Sequence, residues 1–379
     1  MKARTRPRIA VIYNRDFEGA ESDPENKARE DVKEIADHIV RILNANGYDG
    51  SGLGVTGDVR SALGELRVLK PAAVFNLCES IHGDNRFESL LPLLMELERI
   101  PYTGSGPFAL SLALRKEKVK DILCARGIPV PKGSVVSEAG ELAGWVLPFP
   151  LIVKPAREDA SVGITRASVV SDEKALHARV LHILGHYRQP ALVEQYIDGR
   201  EIYVSLLGQV DGGLQVFPFF EIDFSAMPAD RPKIVSFEGK WVEESVEYKG
   251  TRPIRCEALS ADLRGKVAQT ALDAFRCVGL RDYARMDIRL AADGTPYVID
   301  VNPNCDLSDL AGGFSRAAKA GGLSYKDVIL RLMSLALSRR LDETPIPLAG
   351  LPSEADLRAE RESLPAGSGF APAGVRRGG

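Results

Sequence analysis

The stretch YARMDIRLAADGTPYVIDVNPNCD, residues 283–306, decides the fold of this chain. It contains Asp293-Gly294, a dipeptide typical of tight hairpin turns, with an alternating apolar and polar segment on each side. Apolar residues recur at every second position, the period of a half-buried strand. They are Ala284, Met286, Ile288 and Leu290 before the turn, and Tyr297, Ile299 and Val301 after it. The stretch therefore predicts two antiparallel strands with one apolar and one polar face.

A two-residue loop fixes the register of this hairpin, and the predicted pairs are Ala292 with Thr295, Asp287 with Asp300, and Arg285 with Asn302. Two carboxylates that face each other across a ladder have Cβ atoms about 5 Å apart and repel each other. A divalent cation with oxygen ligands relieves that repulsion, and Asn302 offers a third oxygen. The alternative is a solvated polar face, and a one-residue slip would invert the two faces.

The composition indicates a globular protein of two or three domains. The chain has 379 residues, of which 45% are hydrophobic and 27% charged. That length exceeds one ordinary core. The net charge of -3 gives no basic surface for nucleic acid. No apolar run of about 18 residues and no signal-peptide region are found, so we expect a cytoplasmic protein without membrane spans.

Cysteine and histidine give no metal or disulfide signature. The five cysteines, an odd number, are scattered without a CxxC pair, which favours reduced thiols over a zinc site or a disulfide framework. His182 and His186 share a helical face but lack a third ligand nearby, so we expect them at the surface of a helix.

The first hundred residues alternate between strand and helix, which is typical of an α/β unit. The pattern predicts strands at 8–13 and 72–76 and helices at about 26–44 and 87–98. Gly52, Gly54 and Gly57 match the dinucleotide-binding spacing, but the preceding segment NANGYDGS does not read as a strand. We therefore interpret 52–57 as a glycine-rich turn. The turn cluster PYTGSG at 101–106 is a plausible domain boundary.

The middle of the chain places lysines where an anion could bind. A helix predicted at about 109–125 carries Lys116 and Lys120 on one face, which are phosphate ligands or merely solubilising charges. The strand LIVKP at 151–155 carries Lys154 near its end, and the loop 156–163 after it could cover phosphates, although the chain has no P-loop motif. The polar segment 223–257 has the length of a lid or binding loop.

The remaining segments complete the prediction. Helices are expected at 172–187, about 259–278 and about 325–337, with strands at 191–196 and 202–208. The segment 341–379 is rich in Pro, Gly, Ser and charge, and we expect it to be a disordered tail.

Together these segments resemble the ATP-grasp superfamily and, within it, the D-alanine–D-alanine ligase family, over about residues 8–338. The motifs that carry the resemblance occur in family order: PYTGSG at 101–106, Lys116 and Lys120 before GIPVP, IVKP within 151–155, VEQYIDGRE at 193–201, FEGKW at 237–241, ARMD at 284–287 and IDVNPN at 299–304.

The resemblance implies an α/β fold in which an N-terminal α/β substrate domain (1–113) precedes a two-part ATP-grasp module. That module would hold the nucleotide between two antiparallel sheets, one in a small central domain (114–200) and one in a C-terminal domain (201–340) with the lid 223–257. It also implies a homodimer, a role in peptidoglycan biosynthesis, small amino acid substrates including D-alanine, and ATP with two Mg²⁺ ions, or Mn²⁺ in their place.

The resemblance further implies a reaction and a role for each matched residue. A carboxylate attacks the ATP γ-phosphate to give an acyl phosphate, and an amine then displaces phosphate to form an amide. The nucleotide ligands would be Lys116, Lys154 and Ser161 at the phosphates, Lys240 at the γ-phosphate, Glu194, Gln195 and Ile197 at the adenine, and Glu201 at the ribose. The metal ligands would be Asp287, Asp300 and Asn302. The catalytic residues would be Arg285, Lys240 and His82, although His82 could also be an ordinary loop histidine.

Several positions depart from the family pattern. The N-terminal glycine-rich turn with its Ser and Glu is absent. Where the family has a Ser in the phosphate-covering loop and a Tyr in the lid, the chain has Ala160 and Trp241. Asp306 and Ala311 replace a Gly and a Ser, and Asp300 replaces a Glu. The segment NLCES at 76–80 is foreign to the ordinary ligases and could line the substrate pocket.

Three functional hypotheses follow. The chain is a ligase of D-alanine or related small amino acids, a ligase for a different amino acid or a larger peptide acceptor, or a nucleotide-binding protein without catalytic activity. The set of Arg285, Asp287, Asp300, Asn302 and three lysines argues against the last hypothesis, because mere binding needs fewer of them. The identity and stereochemistry of the substrates do not follow from the sequence.

Overall fold

The computed structural model describes residues 6–15, 24–143, 147–210, 213–310 and 312–339, with backbone alone for 24–31. Ala311 and the tail expected at 341–379 lie outside these residues. Within the described part of the chain, no helix is long and apolar enough to cross a membrane.

A three-stranded parallel sheet begins the chain. Its strands are β1 (Arg8–Asn14), β2 (Asp49–Val55) and β3 (Ala73–Asn76), in the order β2-β1-β3. Side chains from both faces of β1 are buried, as a strand covered on both sides requires. The helices of this region are α1 (Pro24–Ala45), α2 (Val59–Leu69) and α3 (Leu90–Leu97), the last preceded by a 3₁₀ turn at Asn85–Phe87.

The interpretation of residues 52–57 as a turn was wrong, because Asp49–Val55 is the strand β2. It pairs along its whole length with β1, from Arg8 beside Asp49 to Asn14 beside Val55. A Cβ atom at Gly50 would lie 3.3 Å from Leu43 of α1, so a glycine here lets the helix approach the strand closely. The dinucleotide interpretation stays rejected, because the first two glycines of that pattern lie inside the strand.

A four-stranded antiparallel sheet follows. Its strands are β4 (Gly133–Val136), β5 (Leu151–Pro155), β6 (Val169–Val170) and β7 (Ala191–Gln195), in the order β4-β7-β5-β6. Helix α6 (Glu173–His182) packs on this sheet, and the chain continues from it into a π-helical turn at Ile183–Tyr187. Two short 3₁₀ turns, Ala139–Leu142 and Arg166–Ser168, complete this layer.

The largest sheet has six antiparallel strands. They are β8 (Gly199–Gly208), β9 (Gln215–Val216), β10 (Phe220–Asp223), β11 (Arg252–Arg255), β12 (Asp282–Ala291) and β13 (Pro296–Asn302). The order is β11-β10-β8-β12-β13, with β9 beside β8. Helix α9 (Ala261–Val278) covers one face. The segment 223–257 is more regular than its sequence suggests, since it contains α7 (Phe237–Trp241), α8 (Val246–Lys249) and β11.

The single helix expected at 109–125 is two helices, α4 (Pro107–Ala113) and α5 (Lys116–Ala125). Arg115 between them has φ -103° and ψ 73°, outside the helical region, and this breaks the helix. The break makes Lys116 the first residue of α5, where its side chain is buried. Helices α10 (Gly313–Ala320) and α11 (Tyr325–Ser338) end the described chain, and a capping box of Ser324 and Asp327 starts α11.

The β12–β13 hairpin confirms the pairs that matter and corrects the turn. Asp287 faces Asp300 and Arg285 faces Asn302, as predicted. Closer to the turn the register differs by one residue, because Leu290 pairs with Pro296. The pairing of Ala292 with Thr295 was therefore wrong.

A β-bulge reconciles the two registers. Ile288 pairs with Val298 while Asp287 pairs with Asp300, so Ile299 is the extra residue on β13. The bulge also changes the faces of the strand. The predicted apolar face of Tyr297, Ile299 and Val301 was wrong, since the buried residues of β13 are Pro296, Val298 and Val301.

An ion pair ties the end of α11 to the start of β12. Asp282 is fully buried and has φ 65°, and its carboxylate accepts hydrogen bonds from Arg339 Nη2 (2.5 Å) and from the Gly104 N–H (2.8 Å). Burial raises the pKa of Asp282, and Arg339 opposes that rise. The pair therefore joins the C-terminal helix, the large sheet and the PYTGSG turn.

We predict that Arg339→Met lowers the free energy of unfolding by about 3 kcal/mol at pH 7, because it leaves a buried carboxylate without its cation. The pKa of Asp282 is higher in the folded than in the unfolded chain, and removal of the Arg339 charge raises the folded-state pKa further. Acidification therefore favours the folded variant, and the deficit shrinks as the pH falls. Urea unfolding at several pH values measures this, with exposed Arg126→Met as the control. A deficit that is constant with pH would contradict the assignment.

Candidate functional site

Two charge-compensated carboxylates form the centre of the candidate site. Arg285 holds Asp287 in a bidentate contact, Nε to Oδ1 at 2.6 Å and Nη2 to Oδ2 at 2.8 Å. Lys116 Nζ lies 2.9 and 3.0 Å from the two oxygens of Asp300 and 2.8 Å from Asp159 Oδ1. The repulsion expected across the hairpin is thus balanced by one cation on each carboxylate.

The two cations come from different elements. Arg285 belongs to β12, two residues before Asp287 on the same strand face, and its guanidinium lies over the Tyr203 ring at 4.6 Å. Lys116 comes from α5, which packs against β13. Burial alone would lower the pKa of Lys116, but Asp159 and Asp300 outweigh it and raise the pKa, so the ammonium stays charged.

The donor set of the hairpin fits a hard divalent cation. Asp287, Asp300 and Asn302 supply oxygen ligands, which such ions prefer. Asn302 Nδ2 donates to the Arg285 carbonyl at 3.3 Å, so its amide oxygen takes no part in that bond. Burial raises the pKa of Asp287, and the charge of Asp300 adds to the rise. Among the described residues, no group of three or more His, Cys, Asp or Glu side chains is arranged to hold a metal, so Asn302 is needed to complete the set.

A second charged cluster lies on the small sheet. Glu194 of β7 is 1% exposed, and its carboxylate pairs with Lys154 of β5 (2.8 Å) and with Lys120 of α5. Burial would raise the pKa of Glu194, but the two ammonium groups lower it. Burial lowers the pKa of Lys120 to about 8, and the nearby charge of Lys154 adds to the effect. Lys120 and Lys154 thus both contact the Glu194 carboxylate, whereas Lys116 of the same helix α5 contacts Asp300 of the hairpin.

The positions expected to hold the nucleoside lie along the following turn and strand. Gln195 ends β7, where its N–H donates to the Lys132 carbonyl (2.8 Å), and Ile197 is buried. Glu201 on β8 forms an ion pair with Arg289 (Nη2 to Oε2, 2.7 Å) and accepts a hydrogen bond from Tyr203 Oη (2.9 Å). A buried arginine thus orients Glu201.

The lid segment, residues 223–257, is tied to the loop 156–163 and to Ile164 directly after it by two hydrogen bonds. The Phe237 N–H donates to the Ile164 carbonyl at 2.8 Å, and Trp241 Nε1 donates to the Ala160 carbonyl at 3.0 Å. Ala160 and Ser161 both have positive φ, 53° and 65°, so the loop is tightly curved where the indole meets it. An indole–backbone bond therefore joins two of the positions at which the sequence departs from the family pattern.

The lid also carries Lys240 toward the hairpin. Lys240 Nζ lies 4.9 Å from the centre of the Trp241 ring. Desolvation in the cleft lowers the pKa of Lys240, and the charge of Arg285 adds to this, while Asp306, Asp287 and Glu79 oppose it. The positive charge of Arg285 therefore acts on Lys240.

His82 lies at the edge of the parallel sheet. It has φ 53°, and its imidazole occupies the space in which a Cβ of Gly57 would stand, 1.6 Å from His82 Cε1. A glycine at position 57 is required for this packing. Within the described residues, His82 makes no hydrogen bond or ion pair with the β12–β13 hairpin, unlike Lys116.

A buried polar network under the cleft was not found from the sequence. Asn304 accepts from Tyr283 Oη (2.6 Å) and donates to Glu88 Oε1 (2.9 Å) and the Cys78 carbonyl (3.3 Å). Burial raises the pKa of Glu88 well above its usual value, and Asn304 opposes the rise. The only sequence signal was Asn304 itself, inside the IDVNPN motif. Asp159 was likewise missed, since it lies in an irregular loop.

The chain is similar to several known proteins. A family model described as D-ala D-ala ligase C-terminus matches residues 131–334. A D-alanine–D-alanine ligase of Syntrophotalea carbinolica is 31% identical over 261 residues, 69% of this chain and 78% of the relative. An uncharacterised protein of Sinorhizobium fredii is 32% identical over 344 residues, 88% of this chain and 97% of the relative.

The fold is that of solved D-alanine–D-alanine ligases. The enzyme of Bacillus anthracis, crystallised with ATP, superposes with a TM-score of 0.67 at 22% identity, covering 88% of this chain and 97% of that chain. The VanG D-Ala:D-Ser ligase of Enterococcus faecalis gives a TM-score of 0.66 at 19% identity, covering 88% of this chain and 100% of that chain. The ATP-grasp fold predicted from the motifs is confirmed.

We predict that Trp241→Phe opens the lid, because it keeps an aromatic ring beside Lys240 but removes the N–H bonded to Ala160. Loss of a neutral hydrogen bond worth about 1 kcal/mol should raise the rate of tryptic cleavage after Lys240 or Lys249 about fivefold. Trp241→Ala, which also removes the ring, should raise it further.

The control is Trp145→Phe, which removes the chain's other tryptophan. Equal cleavage rates for Trp241→Phe and Trp145→Phe would show that the indole bond does not close the lid.

Proposed function

The chain belongs to the D-alanine–D-alanine ligase family, and from that premise we propose that it is an ATP-dependent ligase that joins a carboxylate to an amine. The observation that supports this most directly is the convergence of Lys116 and Arg285 on Asp300 and Asp287. This arrangement concentrates fixed positive charge beside oxygen ligands, as the transfer of a phosphoryl group requires.

The reaction needs no nucleophile from the protein. The donor carboxylate attacks the γ-phosphorus of ATP, ADP leaves, and the acceptor amine then displaces phosphate from the acyl phosphate to form an amide. The work of the protein is positioning and charge stabilisation. Lys240 meets the γ-phosphate from the lid, and Arg285 stabilises the acyl phosphate and the oxyanion that follows it.

In this proposal the nucleotide is bound by residues of the four-stranded sheet and of the adjoining elements α5, β8 and the loop 156–163. Lys116, Lys154 and Ser161 bind the phosphates in this proposal, and Glu201 binds the ribose hydroxyls. The adenine lies against Glu194, Gln195 and Ile197. Glu194 is held by two lysines and Glu201 by Arg289, so each carboxylate is fixed before the nucleotide arrives, which supports their assignment as preorganised ligands.

Asp287, Asp300 and Asn302 are the proposed ligands of divalent cations. When bound, two Mg²⁺ ions, or Mn²⁺ in their place, offset the charge that develops on the phosphates. With cations present, Arg285 and Lys116 would no longer compensate Asp287 and Asp300 alone, and they would be able to bind the phosphates.

The proposed division into domains follows the three sheets. Residues 1–113 bind substrate, 114–200 form the small ATP-grasp domain, and 201–340 form the C-terminal domain with the lid 223–257. The parallel, four-stranded and six-stranded sheets follow these three segments in that order, except that β8 begins at Gly199, two residues before the third segment. His82 would then contribute to the substrate side from the edge of the parallel sheet.

Small amino acids, D-alanine among them, are the proposed substrates, and the reaction would take place in the cytoplasm. A specific observation favours a second candidate, a ligase for a different amino acid or a larger peptide acceptor. Trp241 meets a backbone carbonyl at Ala160, so the contact between lid and loop differs in chemistry from a side-chain pair of Tyr and Ser. A changed lid contact changes the space left for the substrates beneath it.

We predict release of phosphate that depends on ATP, Mg²⁺ and an amino acid when the protein is screened against pairs of D- and L-amino acids and short peptides. Asp287→Asn should lower turnover at least 100-fold, because it weakens the cation site and frees Arg285 from its carboxylate. Exposed Glu138→Gln is the control. Absence of amino-acid-dependent release across the panel would refute the ligase proposal, and full turnover of Asp287→Asn at saturating Mg²⁺ would refute the metal assignment.

A homodimer is the proposed assembly, and an exposed apolar surface on α3 and α4 supports it. Leu93, Leu97 and Phe108 are 54%, 74% and 75% exposed, and Ser89 and Ser111 join the two helices by a hydrogen bond of 2.7 Å. Large apolar side chains grouped in this way mark interaction surfaces more often than isolated ones do.

We predict that the protein elutes as a dimer in size-exclusion chromatography with light scattering, and that Leu97→Glu together with Phe108→Glu converts it to a monomer. Leu181→Glu, at an exposed leucine on α6, should leave the mass unchanged. A monomeric parent protein, or a double variant that stays dimeric, would contradict this surface.

A further inference from the structure

The loop after β3 presents one acidic side chain at the edge of the cleft. Leu77, Cys78 and Ser80 are buried while Glu79 between them is exposed. The glutamate side chain therefore points away from the core. Because β1 and β3 are parallel neighbours, this loop lies at their carboxyl ends, the edge at which open α/β sheets bind ligands.

The backbone of this loop is held on both sides. Asn14, the last residue of β1, accepts from the Glu79 N–H (2.8 Å) and donates to the Ser80 carbonyl (2.5 Å). On the other side, Asn304 donates to the Cys78 carbonyl (3.3 Å). A loop fixed by two asparagines presents its glutamate in a defined position, as a preorganised binding residue requires.

Glu79 acts electrostatically on two groups of the cleft. Its negative charge opposes the lowering of the pKa of Lys240 and adds to the rise in the pKa of Tyr283, whose hydroxyl is bonded to Asn304. The loop that carries Glu79 is thus joined through Asn304 to β12, two residues from Arg285.

Other carboxyl groups nearby have different surroundings. Asp287 is held by Arg285, and Asp306 accepts from the Ser308 N–H (2.7 Å) and hydroxyl (2.9 Å) within its own turn. Glu88 is buried with a raised pKa, which disfavours a charged carboxylate. Asp306 and Glu79 are both exposed, but Glu79 is the one carried by the loop that Asn14 and Asn304 hold.

We propose that Glu79 is a specificity-determining residue that binds the α-ammonium group of the donor amino acid. The inference rests on the proposed ligase function. In an α-amino acid a single carbon separates the ammonium from the carboxyl carbon. A carboxylate that attacks phosphorus beside Lys240 and Arg285 therefore brings its ammonium to the same small region, and a fixed anion there binds it by a charge-assisted hydrogen bond.

Trapping of the acyl phosphate tests this without knowledge of the acceptor. The donor carboxylate oxygen bonds to the γ-phosphorus, the bond from that phosphorus to the bridging oxygen breaks, and ADP leaves. Hydroxylamine nitrogen then bonds to the acyl carbon, phosphate leaves, a proton passes to water, and the hydroxamate is measured. The first probes are D-alanine and propionate, which differ in the ammonium group. If another amino acid reacts faster than D-alanine, that amino acid and its des-amino counterpart are used as the pair of probes instead.

The preference is measured as the ratio of kcat/KM for the amino acid to kcat/KM for its des-amino counterpart. We expect this ratio to fall about 10- to 100-fold in Glu79→Gln, while the KM for ATP stays unchanged. Glu79→Asp, which keeps the charge, should retain part of the preference. Glu65→Gln, at an exposed glutamate on α2, should retain all of it.

Two results would overturn the inference while leaving the ligase proposal standing. One is hydroxamate formation with an unchanged preference in Glu79→Gln. The other is an equal loss with both acids, which would show a structural role. Absence of hydroxamate from every acid in the wild-type protein would instead overturn the proposed function, and this inference with it.

Discussion

The repulsion between Asp287 and Asp300 is the constraint on which the arrangement of the site depends. Facing carboxylates on neighbouring strands need a cation each, and the structure takes one from the same strand and one from another element. Lys116 must therefore start a helix packed on β13, and the loop carrying Asp159 must reach the same ammonium. The position of α5 follows from a charge requirement as much as from its apolar face.

Such buried ion pairs are poor devices for stability, because desolvation offsets most of the attraction between the charges. The described residues nevertheless include several of them along one cleft, among them Arg285 with Asp287, Lys116 with Asp300, and Lys120 and Lys154 with Glu194. Their common feature is positive charge held beside carboxylates that a metal or a nucleoside can bind. Packing alone does not explain why so many lysine and arginine side chains line one cleft, whereas binding of a polyanion by these side chains would explain it.

The sequence predicted the central pairing more reliably than its surroundings. Period-two alternation located both strands, but a bulge at Ile299 made the register near the turn and the apolar face of β13 wrong. The extra residue restored the expected pairing of Asp287. The strand β2 was missed because three glycines obscured its alternating pattern. The break at Arg115 was missed because a continuous apolar pattern hides a local change in φ and ψ. Asp159 and Glu88 act through tertiary contacts, which no spacing within the sequence encodes.

The departures at Ala160 and Trp241 show why motif positions indicate the chemistry better than the substrates. The loop–lid contact survives with different partners, because the indole N–H reaches a main-chain carbonyl that every residue type possesses. A backbone acceptor places no demand on the side chain at position 160, so the contact persists without a hydroxyl there. A charged side chain that orients a substrate cannot be replaced in this way, because the main chain has no charged group. A carboxylate lost from one loop has to be supplied by another side chain, and the exposed glutamate after β3 occupies a position from which it can do so.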